Sequence, residues 1–115
     1  MNQTLRILNF LGIVKKAGKL KVGETLCNEY IKRGKASLLI IAQDASERNK
    51  EHFIKLCEEN KINYLIFGTK ELLGRYIGKR DTGYIAITDY NMAKKIREFL
   101  QSPLQINGGD NIDKD

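Results

Sequence analysis

The run Ser37-Leu38-Leu39-Ile40-Ile41-Ala42 restricts this chain more than any other stretch. A continuous apolar segment of this kind predicts a strand covered on both sides, because one water-facing side would show up as alternation. Such a strand needs a layer above and a layer below it. The remaining segments supply those layers by alternating helical and strand-like patterns.

Residues 4–17 carry a helical stripe of Leu5, Leu8, Leu11 and Val14, flanked by Ile7 and Phe10. Lys15 and Lys16 suit the negative end of that helix, and Gly18 suits a left-handed C-cap. A short basic strand at 19–22 leads to Gly23, which opens a second helix closing at Gly34. Leu26, Cys27, Tyr30 and Ile31 are expected on one face of it. After the apolar run, Asp44 or Ser46 caps a third helix to about Asn60, with Phe53, Leu56 and Cys57 inward. A strand at 64–67 ends at Gly68, and Thr69 caps a short helix through Tyr76 with Leu72, Leu73 and Tyr76 inward. The polar loop 78–83 precedes a strand at 84–87. Asp89 then caps a last helix bearing Met92, Ala93, Ile96, Phe99 and Leu100. Strands alternating with helices predict an α/β layered sandwich with helices on both faces of a small sheet. No internal repeat is present.

With 115 residues the chain is long enough for one ordinary core and one domain, spanning residues 1–100. Residues 101–115 hold the only proline and mostly polar side chains, and are expected to form a disordered tail. The formal charge of +6 calls for an acidic partner. That charge is uneven: Arg6, Lys15, Lys16, Lys19, Lys21, Lys32, Arg33 and Lys35 crowd the first 35 residues against Glu24 and Glu29 alone. Nucleic acid is the leading partner class, and an anionic membrane surface is second. Basic residues follow the N-terminal apolar run instead of preceding it, and no apolar run approaches the roughly 20 residues of a membrane span. The expected location is therefore cytoplasmic.

Several candidate sites fail on chemistry. The segment Gly12 to Leu20 resembles a phosphate-binding loop, but five residues separate its glycines and Leu20 replaces the required Ser or Thr. His52 and Cys57 lie five apart on one helix and point to different faces, so they cannot act as a base and nucleophile. Cys27, Cys57 and His52 are one ligand short of a metal site. Both cysteines read as core residues. Asp44, just after the buried strand, suits either a catalytic carboxylate or a turn and helix cap. Nothing here makes an enzyme, and no cofactor or metal is expected.

The basic residues weigh differently, although Lys50, Lys55, Lys94 and Lys95 read as ordinary solvated positions. Helix N-termini present unpaired N–H groups and suit phosphate, and Lys19 and Lys21 lie beside the one at Gly23. Lys79 and Arg80 form a second basic loop that α/β topology can bring to the same edge. Neither loop tip holds an aromatic residue, which argues against single-strand stacking and for recognition of a folded backbone.

Leu11-Gly12-Ile13, Ala17-Gly18-Lys19-Leu20, Val22-Gly23-Glu24, Lys32-Arg33-Gly34-Lys35-Ala36, the block from Leu39 to Ser46, the block from Gly68 to Lys79 and Ala86-Ile87-Thr88-Asp89 occur here in one order and spacing. Together they resemble the bacterial YlxQ-type branch of the kink-turn-binding ribosomal protein superfamily (L7Ae/L30e fold), over residues 4–100. The resemblance implies a three-layer α-β-α sandwich around a four-stranded mixed sheet, without catalytic activity. It implies binding of kink-turn RNA, with the helix after the first strand in the widened groove and the loop before the last strand holding a flipped-out nucleotide. Carried over by position, Gly23 is the turn glycine, and Thr25 and Leu26 stand where a base-reading Asn-Glu pair is usual. Glu29 stands where a lysine is usual, Arg33 and Lys70 match basic RNA-contacting positions, and Gly78, Lys79 and Arg80 fall in the nucleotide-holding loop. Leu26 cannot pair with a guanine edge and Glu29 repels phosphate, so the departures point to an altered RNA target.

The resulting expectation is a ribosome-associated RNA-binding protein. Glu24, Thr25 and the loop 78–82 would contact bases, and Lys19, Lys21, Arg33, Lys70, Lys79 and Arg80 would contact phosphates. The rival expectation is an adaptor docking an acidic factor of the translation or transcription machinery.

Overall fold

Every residue of the strand Leu38–Ile41 is buried, as its unbroken apolar pattern requires. The structure is a computed structural model that describes residues 2–100. The expected disordered tail at 101–115 lies outside the described residues. The order is α1 (Gln3–Lys16), β1 (Leu20–Val22), α2 (Glu24–Lys32), β2 (Leu38–Ile41), α3 (Glu47–Glu59), β3 (Asn63–Ile66), α4 (Lys70–Tyr76), β4 (Tyr84–Ile87) and α5 (Tyr90–Leu100).

The four strands form one mixed sheet in the order β1-β4-β2-β3. β4 runs antiparallel to both β1 and β2, while β2 and β3 are parallel. Leu38 and Ile40 of β2, with Ile85 and Ile87 of β4, pack on one face against α1, α4 and α5 through Ile7, Leu8, Leu11, Val14, Leu73, Ala93 and Ile96. Leu39, Ile41, Tyr84 and Ala86 pack on the other face against α2 and α3 through Cys27, Ile31, Phe53, Leu56 and Cys57. The result is a three-layer α-β-α sandwich. Burying each of these Leu or Ile side chains contributes about 1.5–3 kcal/mol, which holds the two fully apolar strands at the centre.

The outer strands differ. β3 lies at an edge, and Tyr64 and Ile66 remain 38% and 42% exposed there because the strand has one neighbour only. In α1 the buried stripe is Ile7, Leu8, Leu11 and Val14, so Leu5, expected inward, lies on its rim at 38% exposed. Leu26 is likewise displaced. Cys27 and Ile31 are the buried pair of α2, and Leu26 sits outside that pair at 41% exposed.

Capping resolves the Asp44 alternatives. The Ser46 hydroxyl accepts from the Asn49 N–H at 3.2 Å and so caps α3. Asp44 reaches 26 residues ahead instead, where its carboxylate accepts from the Lys70 N–H at 2.9 Å at the start of α4. A carboxylate there also complements the positive end of the helix. Thr69 and Asp89 cap α4 and α5, each accepting an N–H from three residues on.

Candidate nucleic-acid interface

α2 begins differently from its neighbours. Asn2, Ser46, Thr69 and Asp89 supply side-chain caps to the other four helices, but Gly23 supplies none to α2. Gly23 adopts φ 100°, a conformation that disfavours any side chain, although a Cβ there would touch nothing within 4 Å. The glycine is thus required by backbone geometry and not by crowding. Its N–H donates to the Tyr84 carbonyl at 3.0 Å, which anchors the turn to the start of β4. The first N–H groups of α2 are left without a side-chain acceptor.

The loop before β4 is folded back along α4. The Lys79 N–H donates to the Gly74 carbonyl at 2.8 Å, and the Thr82 N–H donates to the Lys70 carbonyl at 3.0 Å. Lys15 of α1 donates from Nζ to the Ile77 carbonyl, closing the far end of α4. Thr82 is buried, and its hydroxyl donates to the Arg80 carbonyl at 3.0 Å. Gly74 makes this course possible, because a Cβ at that position would come within 1.8 Å of the Arg80 carbonyl oxygen.

These two features meet. Val22, Gly23 and Glu24 line one side of a cavity of about 410 Å³, and Asp81, Thr82, Gly83 and Tyr84 line another. Lys70 and the start of α3 (Ala45, Ser46, Asn49) complete it. The expected convergence of the Gly23 turn with the loop before the last strand is therefore present, through the loop's second half. Gly78, Lys79 and Arg80 are exposed but run alongside α4, outside the cavity lining. Ser46, Asn49 and Tyr84 were not anticipated as lining residues. A readable signal existed for the first two, since they follow the carboxyl end of a parallel strand, where α/β sheets form crevices.

The remaining basic positions spread over the adjoining surface. Lys19 lies at the opposite end of β1, where its carbonyl accepts from the Thr88 N–H at 2.9 Å. Four residue steps of extended chain take it to Gly23, about 13 Å. Arg33 is the C-cap residue of α2, about 15 Å along the helix from Gly23. It pairs with Glu29 at 2.9 Å, both side chains about half exposed. Lys21, mid-strand in β1, has its ammonium 5.2 Å from the Tyr30 ring centroid, and the Arg33 guanidinium lies 5.8 Å from the same centroid. Thr25 is exposed on α2, and Glu24 accepts from the Asn49 side-chain amide at 3.3 Å across to α3. Six of the eleven predicted residues form two groups, and Lys19, Thr25, Gly78, Lys79 and Arg80 belong to neither. Gly23, Glu24 and Lys70 gather at the cavity, while Lys21 and Arg33 gather around Tyr30 with Leu26 one turn away.

The titratable core groups are inert. Burial pushes the Cys27 thiol up to about 12 and Cys57 to about 11, so neither forms the thiolate a nucleophile needs. Burial, then the Glu24 carboxylate, raises the Tyr84 phenol to about 12. The Tyr84 hydroxyl and the Asn28 side-chain oxygen are buried with no hydrogen-bond partner. His52 is exposed, its ring edge-on to Phe53 with centroids 5.1 Å apart. Among the described residues no helix is long and apolar enough to cross a membrane.

Known proteins are similar to this chain in architecture and in sequence. The chain is 31% identical over 90 residues to the RNA-binding protein YlxQ of Bacillus subtilis, covering 78% of this chain and 90% of that one. It is 28% identical over 91 residues to the large ribosomal subunit protein eL8 of Thermoplasma acidophilum, covering 78% and 75%. Among solved structures, a Bacillus halodurans protein of unknown function superposes with a TM-score of 0.80 at 26% identity, covering 84% of this chain and 97% of that one. The Giardia lamblia 15.5kD RNA binding protein superposes with a TM-score of 0.72 at 27% identity, covering 86% and 85%. Residues 6–97 match the family described as ribosomal protein L7Ae/L30e/S12e/Gadd45, and the chain belongs to that family.

Proposed function

We propose that this protein is a non-catalytic, ribosome-associated RNA-binding protein of the cytoplasm that grips a structured, kink-turn-like RNA. The reading is carried by one observation: the uncapped start of α2 opens onto the same cavity as Lys70 and the loop before β4. Open N–H groups at a helix start favour a phosphate, and the cavity beside them has room for an extruded nucleotide. Lys79 and Arg80 extend the positive surface away from the cavity along α4. The names of the YlxQ and 15.5kD relatives support RNA as the ligand, and the eL8 name supports a ribosomal setting.

Base contacts come from Glu24, Thr25 and the loop 78–82, and phosphate contacts from Lys19, Lys21, Arg33, Lys70, Lys79 and Arg80. With Leu26 and Glu29 where a reading pair and a lysine are usual, the preferred RNA departs from a standard kink-turn. Filter binding of ribosomal RNA to the Lys70→Glu, Lys79→Glu double variant tests the reading. Affinity is expected to fall at least tenfold at low salt, with a shallower salt dependence, since each lost phosphate contact removes about 0.7–0.9 from the log–log slope. Unchanged binding by the double variant would overturn it. Copurification of a protein that survives nuclease treatment would favour the adaptor role instead.

A further inference from the structure

The flank of α2 turned away from α3 carries a surface whose chemistry differs from that of the cavity. Leu26 stands 41% exposed in the first turn of the helix. One turn further, the half-buried ring of Tyr30 has the Lys21 ammonium 5.2 Å and the Arg33 guanidinium 5.8 Å from its centroid. Lys21 reaches it from the edge strand β1, and Arg33 from the far end of α2. The opposite flank of α2 is tied to α3 by Glu24 and Asn49 and borders the cavity. The helix therefore separates two surfaces that both begin at Gly23.

We propose that Leu26, Tyr30, Lys21 and Arg33 form a stacking platform for an unpaired nucleobase of the bound RNA, with the two cations taking the phosphates on either side of it. The assignment rests on the RNA-binding reading above and deepens it. The Leu26 side chain has neither donor nor acceptor, so it cannot read a base edge. Lys21 and Arg33 lie over the Tyr30 ring, and the phosphates of an arriving strand draw them off it, which leaves Leu26 and the ring face to the base between those phosphates. The Arg33–Glu29 pair does not block this role. Both partners are about half exposed, and such surface pairs contribute little, so the guanidinium is free to exchange a carboxylate for a phosphate. A protein partner would also cover Leu26, but the two cations gathered on Tyr30 favour a polyanion.

The test uses the full chain and two fluorescein-labelled RNA hairpins, one with a purine bulge and one fully paired, read by fluorescence anisotropy at fixed salt. The wild type is expected to prefer the bulged hairpin. Tyr30→Leu is expected to lose about tenfold or more on the bulged hairpin with little change on the paired one, while Tyr30→Phe keeps the preference. Leu26→Gln, at an exposed position outside the buried core, is expected to weaken the same preference several-fold and covers the case in which Tyr30→Leu fails to fold. If the wild type binds both hairpins equally, or the preference survives Tyr30→Leu and Leu26→Gln, the platform is overturned while RNA binding stands, and the strip becomes a protein contact. If the wild type binds neither hairpin but still retains ribosomal RNA on filters, the platform is overturned and RNA binding stands; if it retains no RNA at all, the RNA-binding reading fails and the platform with it.

Discussion

Replacing Gly74 by alanine attacks the point where α4 supports the loop that lines the cavity. The added Cβ would lie 1.8 Å from the Arg80 carbonyl oxygen, 2.7 Å from its carbon and 3.0 Å from the Lys79 oxygen. All three obstacles are backbone, so no side-chain rotation relieves them. Restoring ordinary contact requires the loop to retreat by about 1.5 Å, a displacement that well-packed interiors resist. That movement stretches the Lys79 to Gly74 and Thr82 to Lys70 hydrogen bonds, now 2.8 and 3.0 Å, beyond useful length. Each contributes about 1 kcal/mol net, and overpacking adds about 1–3 kcal/mol. Alanine recovers up to about 1 kcal/mol through its better helix propensity. The expected net loss is about 2–4 kcal/mol, well inside the ~5–15 kcal/mol stability of an ordinary domain, so the variant still folds. Urea unfolding followed by circular dichroism gives the stability, and RNA anisotropy well below the melting range gives the binding. Both are expected to fall. A stability loss under about 0.5 kcal/mol with unaltered RNA affinity would refute the view that Gly74 shapes the loop.

Two further outcomes follow from the core. Tyr84→Phe removes a buried hydroxyl that has no partner and keeps the ring 4.3 Å from Phe53, so stability should hold or rise by about 1 kcal/mol; a clear drop in thermal unfolding temperature would contradict this. Cys27 and Tyr84 hold their protons up to about pH 12 and Cys57 to about 11, chiefly because burial disfavours the charged form. Where the unfolded chain has already released those protons, the folded chain is penalised. Stability is therefore full below about pH 9 and declines toward 12, by up to about 1.4 kcal/mol per pH unit for each group. Urea midpoints that stay flat across that alkaline window would argue against it.

Much of the fold was legible because the signals behind it are local. The fully apolar pattern of Leu38–Ile41, the stripes of α1 and α3, and caps such as Thr69 and Asp89 depend on residues within a few positions of one another. Periodicity located the elements and left their outer margins open. Leu5 and Leu26 illustrate this, since an apolar residue beside a stripe is assigned to core or surface only by the neighbour that covers it or does not.

The amino-acid sequence by itself determined the alternation of elements, the basic character of the first third and the glycine needed at Gly23. Only the tertiary structure decided the strand order β1-β4-β2-β3, the engagement of the Asp44 carboxylate with the Lys70 N–H instead of the start of α3, and the union of the Gly23 turn with residues 81–84. It also decided that Lys21 and Arg33 gather on Tyr30, a ring that the sequence pattern had only grouped with Leu26, Cys27 and Ile31 on one face of α2. Each of these joins residues distant in the chain or on different elements. Such contacts form only when packing on both sheet faces offsets the entropy of closing the loops between them, and no local pattern encodes which closure wins.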